Sequence, residues 1–296
     1  MSTLFIGLGA MGAPMASNLA RGDFPVVVHD VDVDAAHRLA ESVDVEVAES
    51  LDPLPADVST VVLMVPNSRI VEDLLTGSGA LFERLPADSL VIDMSSSEPS
   101  STRRLAEKAA RYGIGYVDAP VSGGVPRAET GELAIMAGGD AASVERAKPF
   151  LGLMGTSIHH VGGPGAGDAA KALNNLLSAT NIAAAAEILS AASRFGIEPT
   201  AMLEVINAST SRSQASEFKY PRHVLSGKFD SGFSMDLMLK DLGIARTLTT
   251  EAGLDTPVTD AAQVVAHASR EYAATPPDHT EIARYYEAKN DMLFRS

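Results

Sequence analysis

GPGAGDAAKALNNLLSATNIAAAAEILSAASRFG, residues 163–196, decides how the rest of the chain is read. After its opening Gly and Pro residues, no helix breaker returns before Gly196. At 1.5 Å per residue, a helix over residues 167–195 would be roughly 43 Å long. Globular helices usually run 8–20 residues, so this length suits a span between two domains. Most of the stretch is small and apolar, fit for close packing against other helices. Lys171, Asn174, Asn175 and Ser178 depart from that pattern, falling at i, i+3, i+4 and i+7 in one row on one face. Burying an ammonium and two amides without partners would cost several kcal/mol. The row therefore needs either bulk solvent or a polar cavity, and the remainder of the chain favours the cavity.

Upstream, a short apolar run at residues 4–6 ends in Gly7-Leu8-Gly9-Ala10-Met11-Gly12, and residues 13–21 then read as a helix. This is a G-x-G-x-x-G fingerprint with a strand before it and a helix after it. Gly7 permits the tight turn, Gly9 lets backbone approach a pyrophosphate, and Gly12 lets helix and strand pack closely. The helix start then offers N–H groups and a positive dipole end to phosphates. A second strand, Val26-Val27-Val28-His29, runs into Asp30, an acid placed to accept from ribose hydroxyls and to repel a 2′-phosphate. Val31 follows, where an NADP-binding chain would often carry Arg, so NAD is expected in preference to NADP.

Strand and helix patterns then alternate: residues 60–65, 70–75, 90–93, 100–111 and 114–117. Such alternation argues for a parallel, doubly wound sheet, with ligands outside the strand C-terminal ends. Val65-Pro66-Asn67 and Ser95-Ser96-Ser97 lie there, as cofactor contacts or as turn and cap residues. After the strand at 114–117 comes Asp118-Ala-Pro-Val-Ser122-Gly123-Gly124, a turn whose N–H groups can face a carboxylate. A strand at 133–137, a helix at 141–151 and a strand at 157–161 complete a domain over residues 1–162. Beyond it no strand-like alternation recurs. Helices are expected at 199–208, 234–252, 259–269 and 279–293, with caps at Thr259 and Asp278, so residues 163–296 read as the long helix plus an all-α domain.

Composition narrows the function. The 23 Lys and Arg residues against 38 Asp and Glu give a net charge of −15, which disfavours nucleic acid as a partner. Basic residues form no tract for a membrane surface, and no uncharged apolar run reaches the ~18 residues of a membrane span. There is no cysteine, which removes disulfides, zinc–thiolate sites and thiol catalysis; no metal site is read. The opening MSTLFIGLG enters a strand directly and lacks a signal-peptide pattern, so a cytoplasmic location is expected.

Four motifs in order, GLGAMGAPMASNL at the start, DAPVSGG at 118–124, GPGAGDAAKALNN at 163–175 and Lys240-Asp241, together resemble the β-hydroxyacid dehydrogenase family, whose members include 3-hydroxyisobutyrate, tartronate semialdehyde and γ-hydroxybutyrate enzymes. The resemblance covers nearly the whole chain. It implies an α/β Rossmann N-terminal domain, a long interdomain helix and an all-α C-terminal domain, assembled as a homodimer or homotetramer. It also implies NAD-dependent oxidation of a small β-hydroxy acid, 3-hydroxyisobutyrate-like, or the reverse reduction. Carried over by residue, Lys171 would be the catalytic lysine. Ser122, Gly123 and Gly124 would hold the substrate carboxylate, and Asn174 and Asn175 would orient the substrate. Gly7, Leu8, Gly9, Ala10, Met11, Gly12, Asp30, Val65, Pro66 and Ser96 would contact the cofactor, and Lys240 would close over cofactor and substrate. Val125-Pro126-Arg127 and residues 209–216, STSRSQAS, depart from the 3-hydroxyisobutyrate pattern, which leaves the side group of the substrate open. Arg212 could add an anion contact. Two other readings stay in view, an imine reductase, which would usually replace the lysine with Asp or Tyr, and a non-catalytic NAD-binding protein.

Overall fold

A computed structural model describes residues 1–295. They form two units, Met1–Lys171 and the remainder from Ala172. The division falls inside the long helix, whereas the sequence patterning places it between residues 162 and 163.

In the first unit, strands β1 (Ser2–Ile6), β2 (Val26–His29), β3 (Glu46–Val47), β4 (Val58–Leu63), β5 (Leu90–Asp93), β6 (Gly115–Asp118), β7 (Val121–Ser122), β8 (Leu133–Gly138) and β9 (Gly155–Gly162) make one nine-stranded sheet. Strands β1–β6 are parallel, in the order 3-2-1-4-5-6. Their runs of Val, Ile and Leu suit burial on both faces. Leu4, Ile6, Val61 and Leu63 enter one core layer, while Phe5, Val28, Val62 and Ile92 enter the other, as strand alternation requires. Helices α1 (Gly12–Leu19) and α7 (Ala141–Met154) cover the Phe5 side, and α3 (Ser68–Thr76), α4 (Leu81–Arg84) and α5 (Pro99–Arg111) the Leu4 side. Helix α2 (Val33–Ala40) contributes Ala36 and Leu39 to the first layer.

The far edge corrects a wholly parallel sheet. Strand β8 pairs antiparallel with β6 and with β7, and β9 is parallel to β8. The short helix α6 (Gly124–Thr130) lies between β7 and β8, so the chain doubles back as a hairpin in place of a long crossover.

Helix α8 (Ala166–Phe195) has 30 residues. Its apolar positions Leu176, Ala179, Ile182, Ala183, Ala186 and Leu189 lie in the core of the second unit. By length and composition alone this helix would also suit a membrane, and half of its most apolar window is buried inside the protein. Around it stand α9 (Pro199–Ala208), a π-helical segment Ala215–Val224, α10 (Met235–Glu251), α11 (Pro257–Ser269) and α12 (Ile282–Lys289). Asp278 makes a full capping box with Glu281, ahead of a 3₁₀ turn that leads into α12. Thr259 does not cap: α11 starts at Pro257, whose fixed φ suits the first helical position.

Candidate functional site

Gly7, at φ +101°, makes the turn after β1, and a side chain there would strike the Met64 carbonyl. At Gly12 a Cβ would sit 1.8 Å from the Gly7 carbonyl oxygen, so helix and turn touch backbone to backbone. Gly9 differs, since nothing in the protein comes within 4 Å of its would-be Cβ. This open position is what backbone approach to a pyrophosphate needs. A cleft of about 520 Å³ adjoins it, lined by Leu8, Gly9, Ala10, Asp30, Asp32 and Arg38 among others. The Asp30 carboxylate accepts from the Leu8 N–H (2.5 Å) and the Asp32 N–H (2.8 Å), fastening the end of β2 to the glycine turn. Val31 is 96% exposed, and Arg38 pairs with Asp32 at 3.0 Å. Val65 and Pro66 follow β4, and Ser95–Ser97 follow β5. The Val65 N–H donates to Ser95 Oγ (3.0 Å), which joins these two strand ends. Gly9, Val65, Pro66 and Ser96 therefore all stand beyond the carboxyl ends of parallel strands, and the open cradle fits a dinucleotide.

Ser122 ends β7, followed by Gly123 (φ +142°) and Gly124 (φ +69°), conformations that favour glycine. Lys171 Nζ donates to the carbonyl of Val121 at 2.7 Å. The predicted lysine thus sits beside the predicted carboxylate turn, both in the first unit.

What holds that lysine is a buried acid cluster that the sequence reading did not single out. The Asp118 carboxylate accepts from the Gly165 N–H (2.9 Å) and the Asp168 N–H (3.0 Å) at the start of α8. Asp168 in turn accepts from the Ser97 N–H (3.0 Å) and Thr102 Oγ1 (2.7 Å). Asp93 accepts from the Ser95 N–H (3.0 Å) and Tyr116 Oη (3.1 Å). At Gly167 a Cβ would meet the Met136 carbonyl at 2.3 Å, so the first turn of α8 lies directly on β8. Burial pushes all three carboxyls above the ordinary carboxylate range, Asp168 furthest, with the neighbouring carboxylates adding to it. The signal was present as acids at two strand ends and one helix start, but only the tertiary fold brings them together.

The second unit carries the rest of the helix row. Asn175 is buried and its amide donates to Asp241 Oδ2 at 2.6 Å, while Lys240 Nζ lies 3.6 Å from Asp241 Oδ1. Asp241 therefore links two predicted residues, a role that Lys240-Asp241 as adjacent letters did not reveal. Asn174 is exposed. Ser178 accepts from Lys219 Nζ at 2.7 Å, and Lys219 had no place in the sequence reading. Arg212 pairs with Glu217 at 3.9 Å on the surface.

Residues 3–162 match the model of the NAD binding domain of 6-phosphogluconate dehydrogenase. Residues 165–286 match that described as the NAD-binding domain of NADP-dependent 3-hydroxyisobutyrate dehydrogenase. The chain is 39% identical to a 2-(hydroxymethyl)glutarate dehydrogenase of Eubacterium barkeri, over 96% of this chain and 94% of that one. It is 34% identical to a 3-hydroxyisobutyrate dehydrogenase of Pseudomonas aeruginosa, covering 97% and 98%. A solved 3-hydroxyisobutyrate dehydrogenase of Mycobacterium tuberculosis, determined with L-serine, superposes with a TM-score of 0.88 at 32% identity, covering 96% and 98%.

Proposed function

Because the chain belongs to the β-hydroxyacid dehydrogenase family, we propose that it oxidises a small β-hydroxy acid, 3-hydroxyisobutyrate-like, to its semialdehyde or runs the reverse reduction, with Lys171 as general base and acid. The observation that carries this reading is the 2.7 Å contact of Lys171 with Val121, one residue before the Ser122-Gly123-Gly124 turn.

Ser122, Gly123 and Gly124 bind the substrate carboxylate through the hydroxyl and backbone N–H groups of the turn. Asn175, fixed by Asp241, orients the substrate hydroxyl toward Lys171, with Asn174 beside it. The unprotonated Lys171 amine takes the hydroxyl proton in oxidation and returns it in reduction. Hydride acceptance or donation at the carbinol carbon is the chemistry that the bound dinucleotide supplies. Gly7–Gly12, Val65, Pro66, Ser96 and Lys240 hold that dinucleotide. Asp30 selects NAD over NADP, since a 2′-phosphate would face its carboxylate and that of Asp32.

Lys171→Ala is expected to lower kcat by roughly 10²–10⁴-fold while NAD still binds, checked by steady-state kinetics beside NADH fluorescence titration. Near-normal turnover would overturn the assignment. Related semialdehydes (tartronate, succinic or sulfonated) belong in the same assay panel. One observation supports a homodimer or homotetramer: α8 leaves apolar side chains exposed at Leu177, Ile188 and Phe195.

A further inference from the structure

Asp32 stands at the N-cap position of α2, where a carboxylate ordinarily accepts from N–H groups of the first helical turn. Here it makes no such bond. Its Oδ2 instead accepts from Arg38 Nη2 at 3.0 Å, six residues on in the body of the helix. Neighbours on a helix surface sit three or four residues apart, so this pair forms only because Asp32 lies ahead of the first turn. Both side chains are exposed, and an exposed ion pair contributes little to stability. Holding α2 together therefore does not account for a cap given up. The position of the pair is more telling. Both residues line the cleft beside the open Gly9 turn. Among the described residues lining it, Arg38 is the one base, against the two acids Asp30 and Asp32. The Asp32 N–H also donates to Asp30 Oδ1 at 2.8 Å, which ties the pair to the acid expected at the ribose.

Resting on the dehydrogenase reading with its dinucleotide, we infer that Arg38 is a 2′-phosphate-binding base held out of use by Asp32, so that this pair, and not Asp30 alone, sets the choice of NAD over NADP. A guanidinium takes a phosphate as readily as a carboxylate, with the same forked geometry. With Asp32 in place, an incoming 2′-phosphate would have to displace the carboxylate from Arg38 and leave it unpaired beside a second anion. NAD carries a neutral 2′-hydroxyl and leaves the pair undisturbed. Asp32 thus acts twice, by repelling the phosphate and by occupying its base. Repulsion by acids alone would give Arg38 no part in the choice once Asp32 is neutral.

The test titrates the full chain with NADH and with NADPH and follows ligand fluorescence, so no turnover is needed. The wild type should bind NADH about tenfold or more tightly than NADPH. In Asp32→Asn, which keeps a good cap residue, the ratio of the two dissociation constants should move about tenfold toward NADPH. Adding Arg38→Met should reverse most of that gain, because the freed base is gone. Arg38→Met alone, which leaves Asp32 unpaired, should move the ratio further toward NADH. Asp32→Ser serves if Asp32→Asn does not fold. An unmoved ratio in the Asp32 variants, a gain that persists in full without Arg38, or a wild type that already prefers NADPH overturns the inference and leaves the dehydrogenase reading standing. Binding of neither dinucleotide by the folded wild type would instead overturn that reading.

Discussion

Asp168 lies where three buried carboxyls meet, and its value for stability depends on pH. Native Asp168, Asp93 and Asp118 keep protons that the unfolded chain releases near pH 3.8, because burial disfavours their charged forms. The stability they contribute is full below pH 3.8 and is lost as pH rises through the native values. Asp168→Asn keeps an oxygen for the Ser97 N–H and removes one titrating group, so its melting temperature should fall less than that of the wild type as pH rises above 3.8. Differential scanning fluorimetry across that range checks it, and parallel curves would count against a protonated cluster. His279 acts in the opposite sense, since the unfolded chain binds a proton near 6.5 that the native imidazole takes up only at about 3. Its contribution is full above 6.5 and fades as pH falls toward 3. In His279→Gln the steepening of urea unfolding below pH 6.5 should be weaker. At Asp30, replacement by Ser together with Val31→Arg should move the NAD to NADP ratio of kcat/KM toward NADP by about tenfold or more, one strong charge contact being worth that much.

Elements were easier to read than their contacts. The strands at residues 90–93 and the helix at 199–208 match β5 and α9 residue for residue, because Val-Ile runs and a Pro start leave little choice. Helix α8 begins one residue earlier than the patterning indicates. Three features escaped: the antiparallel edge, the π-helical segment and the true start of α11. An edge strand of two residues carries no periodicity, and a π-helix shows no pattern distinct from that of an α-helix. Of the candidate site, the types of residue at each strand end were legible, while the partners of Asp118, Asp168, Asp241 and Lys219 were not, because they lie 41 to 71 residues away. The Gly7–Gly12 contact yields a further expectation for α1. Gly12→Ala would force helix and turn apart and should cost about 1–3 kcal/mol or more. Gly9→Ala has open space and should leave the melting temperature nearly unchanged while weakening NAD. Calorimetry on the two variants separates fold from ligand.

At the scale of the whole molecule, the exposed apolar stripe of α8 predicts self-association. Ile188→Glu places a charge on that stripe, 50% exposed in the single chain. Sedimentation velocity should show a shift to smaller species, and no shift would remove this face as the contact. The two units are joined through an unbroken helix, because their division after Lys171 falls six residues into α8. There is consequently no flexible tether for a protease to find or for an engineer to cut. Severing the chain at that point would leave residues 166–171 as a stub too short to stay wound unaided, and the amine at its tip would lose its aim.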